Sequence, residues 1–446
     1  MHRFNGPTCL KLSLVTASLF GLHAVYAAGF EINELSPTIQ AAALSDAATA
    51  SGDISGMAYN PATLASIKGT QVYIGGSWII PKVGYDNAVA VVTPTGPGAA
   101  YTPGPVTAED NVASQAFVPD AYFGYSVTDQ FKVGVGEDSP WGLKTNYDDN
   151  WAGSLNAIES SIKTINIFPT MAYQLTSKLD VGASVDFEYM DAVYSNNFYN
   201  TEAGGLATVS GYNKLTGSAW GTGYTVGASY QLTPSTLLGA DYHSSINESI
   251  AGTANITGTV CFPGGCLPPG TFVPGYGTDP AAINLTLPAT ANFGVSQEVT
   301  NRLTLMADAQ WTQWDTIQAI DVDVTNQGQD NTAVGYKNSW LYSLGAKYKL
   351  DPKWTLLGGL AYDQTPSNDQ LRDPRIPDTN RKWVTMGFTY SPITRLNLFM
   401  TYEHIFMNDQ SIDVTQQPSA QVATSKISAN YNGYANILSG GLSYTF

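Results

Sequence analysis

A chain of 446 residues with only 13% charged side chains, 43 glycines, 26 tyrosines and a formal charge of −16 is not composed like a string of ordinary soluble domains. The acidic balance weighs against a nucleic-acid partner, since phosphate binding needs basic patches, and no window after the start approaches eighteen consecutive apolar residues, which excludes helical membrane spans. What fits is the residue usage of β-strands with one face in lipid and aromatic girdles at the interfaces.

At the N-terminus Arg3 and Lys11 precede an apolar stretch from Leu12 to Val25, and Val25-Tyr26-Ala27 supplies small or tolerated residues before a cut. Residues 1–27 read as a secretory signal peptide cleaved after Ala27. Residues 28–69 do not alternate. "SPTIQAAALSDAATA" predicts a short helix with Ser36 as its cap and Pro37 in its first turn. Further on, "GMAYNPATLA" carries Asn60-Pro61-Ala62. Proline lacks an N–H and fixes φ, so this element suits a turn or a first helical position and not a central strand. So slim a segment fits the lumen of a large barrel, which the wall's own side chains do not fill.

From residue 70 to 446 the chain reads as strands. In "LDVGASVDFEY", Leu179, Val181, Ala183, Val185, Phe187 and Tyr189 point one way, and Asp180, Gly182, Ser184, Asp186 and Glu188 the other. The same alternation runs through "SWLYSLGAKYKL", Ile283 to Val295 and Leu303 to Trp311. Short turns are expected at 127–130, 176–178, 233–235, 299–301, 351–353 and Ser391-Pro392-Ile393. Long loops are expected over 84–111, 142–160, 196–216, 252–280, 326–337, 366–379 and 408–429. Short turns alternating with long loops mark an outer-membrane barrel. Counting between the links gives an all-β membrane protein, a fourteen-stranded antiparallel outer-membrane β-barrel, with residues 28–69 either inside its lumen or as a periplasmic tail outside it. The aromatic end "LSGGLSYTF" fits the terminal strand signal read by the barrel assembly machinery, with Phe446 last.

Two cysteines remain after signal removal, and "CFPGGC" turns tightly enough to join Cys261 and Cys266 in an oxidising compartment. His243 stands beside Ser244 and Ser245, the residue types of an outer-membrane lipase, but residues adjacent in sequence form no triad. A general diffusion porin is a further alternative and would have an open lumen. No cofactor motif is present. The acidic clusters Asp148-Asp149-Asn150 and Asp321-Val322-Asp323 lack the spacing of a calcium loop and read as solvated surface.

"AGFEINELS" at 28–36, "AYNPATLA" at 58–65 and "RIPDTNRKWVTMGFTY" at 375–390 together resemble the FadL/TodX family of outer-membrane transporters for long-chain fatty acids and other hydrophobic compounds. Matching pieces at 139–153, 283–296 and 309–318 extend the resemblance across the mature chain. It implies an N-terminal hatch whose Asn60-Pro61-Ala62 contacts the wall at an inward-kinked strand. It also implies capture among extracellular loops, an interior pocket, and exit into the outer-membrane lipid through a gap in the wall. The kink is expected at Ser139, Pro140, Trp141 and Gly142, where the third strand loses its alternation. The first groove is expected from Phe198, Tyr199, Leu206, Val209 and Tyr212 with Phe262, Leu267, Phe272 and Val273. Lys337 matches a basic position near the ligand head in the fatty-acid members. Asp191 and Asn196 stand where another base is expected, which leaves a neutral aromatic or aliphatic hydrocarbon, as in the toluene-transporting branch, as an alternative substrate.

Overall fold

The computed structural model describes residues 29–94, 100, 102–202, 207–262, 265–266, 277–325, 328–368, 370–416 and 423–446. The signal segment 1–27 lies outside them. Among the described residues fourteen strands form the wall: β1 (Thr70–Pro94), β2 (Ala116–Ser126), β3 (Phe131–Asp138 and Gly142–Asn146), β4 (Glu159–Gln174), β5 (Leu179–Glu202), β6 (Ala207–Thr233), β7 (Thr236–His243 and Ile246–Phe262), β8 (Gly277–Leu287 and Thr290–Glu298), β9 (Leu303–Thr312 and Ala319–Val324), β10 (Gly328–Ala333 and Ser339–Lys349), β11 (Trp354–Asp363), β12 (Arg381–Ile393), β13 (Leu396–Met407 and Gln410–Gln416) and β14 (Ala423–Thr445). Each pairs antiparallel with its neighbours in sequence. β1 closes the ring against β14, from Gln71↔Thr445 to Pro94↔Ala423.

Alternation sorts the two faces as the sequence predicts. On β5, Val185 and Phe187 face outward while Ser184, Asp186 and Glu188 are buried inside; on β10, Leu344 is 65% exposed next to the buried Ser343. Tyr125, Tyr173, Tyr230 and Tyr348 are exposed near the turns, with Trp78, Trp220, Phe406 and Tyr434 further along the strands, the arrangement of aromatic girdles around an apolar band.

Two expectations are corrected. Ser391-Pro392 is not the turn after β12: the strand runs to Ile393, which pairs with Leu396, and the register shifts between Tyr390 and Ile393. Proline sits there in a bulge, where no ladder N–H is needed. Much of the expected loop sequence is strand. Residues 196–202 pair with 207–213, and β6 continues against β7 up to Thr208↔Cys261. Above an apolar band, polar and threonine-rich strands still satisfy their backbone through the ladder, so hydrophobic alternation stops before the strand does.

The lumen holds the hatch. Ser36 caps a single helical turn, Pro37–Gln40, which ends where Ala43 and Leu44 take positive φ values of 54° and 64°. Short 3-10 turns follow at Ala47–Thr49, Ile54–Ala58 and Pro61–Ser66. Asn60 opens the last of them: its Oδ1 accepts from the Ala62 N–H at 2.9 Å, with Pro61 at the first helical position. Irregular backbone needs partners from outside, and the polar inner face of the wall supplies them. Tyr122 donates to the Leu35 carbonyl, Thr401 to that of Pro37, Thr385 to that of Ala41, and Asp308 accepts from the Ala48 N–H. At wall glycines such as Gly182 and Gly239 the hatch backbone comes so close that no side chain fits. A Cβ on Gly182 would lie 2.4 Å from the Pro61 carbonyl carbon, and one on Gly239 1.9 Å from the Ala48 oxygen.

Candidate lateral opening and interior cavity

β3 is broken between Asp138 and Gly142, and its two neighbours see the break differently. Against β4, Asp138 pairs with Asn166 and Gly142 with Lys163. Three residues, Ser139, Pro140 and Trp141, thus oppose Thr164 and Ile165, and this extra residue is a β-bulge that bends the strand. Against β2, pairing stops at Ala121↔Glu137 and resumes as the bridge Ala113↔Thr145. Residues 114–120 and 138–144 lie between, equal in number, so the register is the same on both sides. β3 leaves β2 and returns to it without slipping. Residues 116–120 of β2 keep their partners on β1 only.

The bent segment has other partners. Thr164 Oγ1 accepts from the Trp141 N–H at 3.0 Å and donates to the Trp141 carbonyl at 2.8 Å. Pro140 has no N–H to place, and its carbonyl accepts from the Ile32 N–H at 2.8 Å, while Gly142 N–H donates to the Phe30 carbonyl at 2.8 Å. The first residues of the hatch therefore form a short strand on the bend, with Glu31 opposite Trp141. Phe30 packs between Trp141 and Trp314, with ring centroids 5.7 and 5.1 Å away. Glu31 reaches across the lumen to β9, where Gln310 Nε2 lies 2.5 Å from its Oε1 and Thr312 donates to Oε2 at 3.2 Å. Burial, with the Asp363 carboxylate adding repulsion, pushes Glu31 up to about 7, and burial does the same to Glu34.

Behind the bend lies a cavity. Pro140 and Trp141 form its side toward the opening, Ile32, Leu35, Met57 and Tyr59 its hatch side, and Phe168, Ile246 and Leu287 apolar parts of the wall. Asp138, Asp186, Glu188 and His243 supply polar groups. His243 is engaged at both ring nitrogens, Nε2 with the Tyr59 carbonyl at 2.7 Å and Nδ1 with Thr225 Oγ1 at 3.0 Å.

The site expected from the sequence is brought together only in part. Ser139, Pro140, Trp141 and Gly142 are the bend. Asn60-Pro61-Ala62 touches the wall, but at β5 and β6: Asn60 Nδ2 lies 3.2 Å from the Ala228 carbonyl and Pro61 packs on Gly182. This corrects the expected contact with the kinked strand, which Phe30, Glu31 and Ile32 make instead. Lys337 is exposed and does not line the cavity. Phe198 and Tyr199 pair with Gly211 and Ser210, and Tyr212 with Asn197 and Thr257, in the continuous β5–β6–β7 ladder. Leu206, Leu267, Phe272 and Val273 lie outside the described residues, as do the side chains of Tyr199, Val209, Cys261, Phe262 and Cys266. The backbone sets Cys266 opposite Cys261.

The sequence reading passed over Phe30, Glu31, Thr164 and Trp314. Asp186 and Glu188 were already visible on the inner face of "LDVGASVDFEY", two residues apart.

The family model described as "Outer membrane protein transport protein (OMPP1/FadL/TodX)" matches residues 18–446. The chain belongs to the FadL/TodX family. Outer membrane protein P1 of Haemophilus influenzae is 25% identical over the whole of both chains. The long-chain fatty acid transport protein of Escherichia coli O6:H1 is 26% identical, covering 91% of this chain and 89% of its own. Among solved structures, a Pseudomonas aeruginosa FadL homologue superposes with a TM-score of 0.82 at 22% identity, over 94% of this chain and 100% of that one. The Ralstonia pickettii toluene transporter TbuX gives 0.63 at 19%, over 93% and 100%. As a FadL/TodX member the chain is an outer-membrane transporter of hydrophobic compounds, which sets aside the lipase alternative.

Proposed function

We propose that this FadL/TodX member moves long-chain hydrophobic compounds, fatty acids or molecules like them, from the cavity behind β3 sideways into the outer membrane between β2 and β3. One observation carries this: residues 116–120 of β2 have no β3 partner, and the bent strand facing them is bonded to the hatch. An apolar solute gains nothing by entering periplasmic water, so an exit that faces lipid is favourable where an aqueous one is not. Magnitudes agree. The end of the hatch is held by two backbone hydrogen bonds and the two side-chain bonds of Glu31 at about 1 kcal/mol each, and by one buried phenyl at about 2 kcal/mol. A hydrocarbon chain that buries comparable area in the cavity offsets that sum, and the hatch end then moves.

Relatives carry long-chain fatty acid and toluene in their names. A neutral aromatic or aliphatic hydrocarbon is the second reading, favoured by the absence of lysine and arginine among the described residues that line the cavity and by the exposure of Lys337. Capture by the outer ends of β5 to β7 and their loops, stiffened by a Cys261–Cys266 disulfide, and insertion through the C-terminal strand belong to the same proposal.

The test is Pro140→Val with Gly142→Val, which favours continuous pairing of β3. Uptake of an apolar substrate should fall at least tenfold while binding to the purified barrel persists. Unchanged uptake rules out exit at this opening.

A further inference from the structure

The cavity's polar lining is acidic and incompletely satisfied. Glu188 is 0% exposed, and neither of its carboxylate oxygens has a hydrogen-bond partner; Asp138, 2% exposed, leaves Oδ1 without one. Their neighbours are already used. Asp186 accepts from Thr225 at 3.0 Å and Asn166 at 3.4 Å, Glu31 accepts from Gln310 and Thr312, and the ring nitrogens of His243 are taken by the hatch and Thr225. A buried carboxylate without donors is costly, and a guest that brings a donor relieves that cost. A guest carboxylate would instead add a like charge. Apolar surface from Trp141, Phe168, Ile246 and Leu287 is left for a hydrocarbon tail.

We infer that the compound received in this cavity carries a hydrogen-bond-donating head, an ammonium, a hydroxyl or the protonated carboxyl of a fatty acid, which docks on Glu188 and Asp138, and that an ionised carboxylate head is disfavoured there. This rests on the lateral-exit proposal for its place in transport. As a binding property it stands on the cavity alone. Ammonium ranks above hydroxyl, because a charge-assisted hydrogen bond is roughly twice as strong as a neutral one.

Dodecylamine, dodecan-1-ol and dodecanoate have tails of one length and differ in the head. Their binding to the full-length protein in non-ionic detergent at pH 7 should follow that order, with amine over dodecanoate by about tenfold or more, the size of one charge-assisted hydrogen bond. Glu188→Gln and, separately, Asp138→Asn should each narrow the ratio several-fold while the protein keeps its heat-modifiable gel mobility. Dodecanoate binding as tightly as the amine, or a ratio unchanged in both variants, overturns the inference. Uptake through the Pro140→Val, Gly142→Val barrel separates the two proposals. Head preference with uptake indifferent to that closure sinks lateral exit and leaves the binding site. Closure-sensitive uptake without head preference sinks the binding site alone.

Discussion

Glu31 ties three parts of the barrel together: its backbone lies opposite Trp141 on β3, its side chain is held on β9, and it begins the hatch. Its carboxyl is raised from 4.5 to about 7, chiefly by burial, with Asp363 adding to the shift and Arg381 opposing it. A carboxyl raised on docking binds its proton more tightly in the docked state. Docking is therefore favoured below about pH 4.5 and weakens as pH rises toward 7. Glu34, also raised to about 7, acts in the same direction. Conductance through planar bilayers should rise between pH 4.5 and 7.5 as the hatch loosens, and Glu31→Gln should remove about half of that slope. A variant with the full slope would remove Glu31 from the account. Gly182 gives a second prediction at this scale. Gly182→Ala puts a methyl 2.4 Å from the Pro61 carbonyl carbon, backbone that does not yield as a flexible side chain would. The barrel should still assemble, but with a larger leak for small ions than the parent at the same pH.

At the scale of the element, the bend in β3 depends on Thr164 as much as on Pro140. Thr164→Val keeps the shape and removes the hydroxyl that serves both backbone groups of Trp141. The cost should be about 1–3 kcal/mol, read as a lower unfolding temperature for the folded gel band. The bend was legible in the sequence because Pro140 and Gly142 interrupt an alternating strand. Its partners were not. Glu31 and Gln310 are 279 positions apart, and only closure of the ring brings them together. Asn60-Pro61 was legible as a turn or helix start for the same local reason that made its contact strand illegible: the turn is fixed by neighbours in sequence, the docking by glycines on β5 and β6. Ser391-Pro392 misled because a proline in a bulge and a proline in a turn look alike before the ladder is seen.

Across the whole molecule, fourteen strands could be counted because lipid on one side and a polar lumen on the other force strict alternation. The outer ends of β5, β6 and β7 run beyond that constraint, and there loops were expected where strands continue. The filled lumen distinguishes this barrel from a general diffusion porin. Deleting residues 28–62 should give a barrel that assembles and conducts small polar solutes, and wild-type conductance after deletion would mean that the hatch does not close the lumen.

The central claim, exit between β2 and β3, is tested most directly by tying these strands across the opening. Equal spacing between Ala121↔Glu137 and Ala113↔Thr145 sets Pro119 against Ser139. Cysteines at both positions can be bridged by a reductant-cleavable bis-thiosulfonate reagent in the assembled barrel. Uptake of an apolar substrate should stop on bridging and recover on reduction, with the unsubstituted parent unaffected by either treatment. Uptake that continues at the parent rate through a fully bridged barrel would contradict lateral exit and leave the route through the lumen past Asn60-Pro61-Ala62.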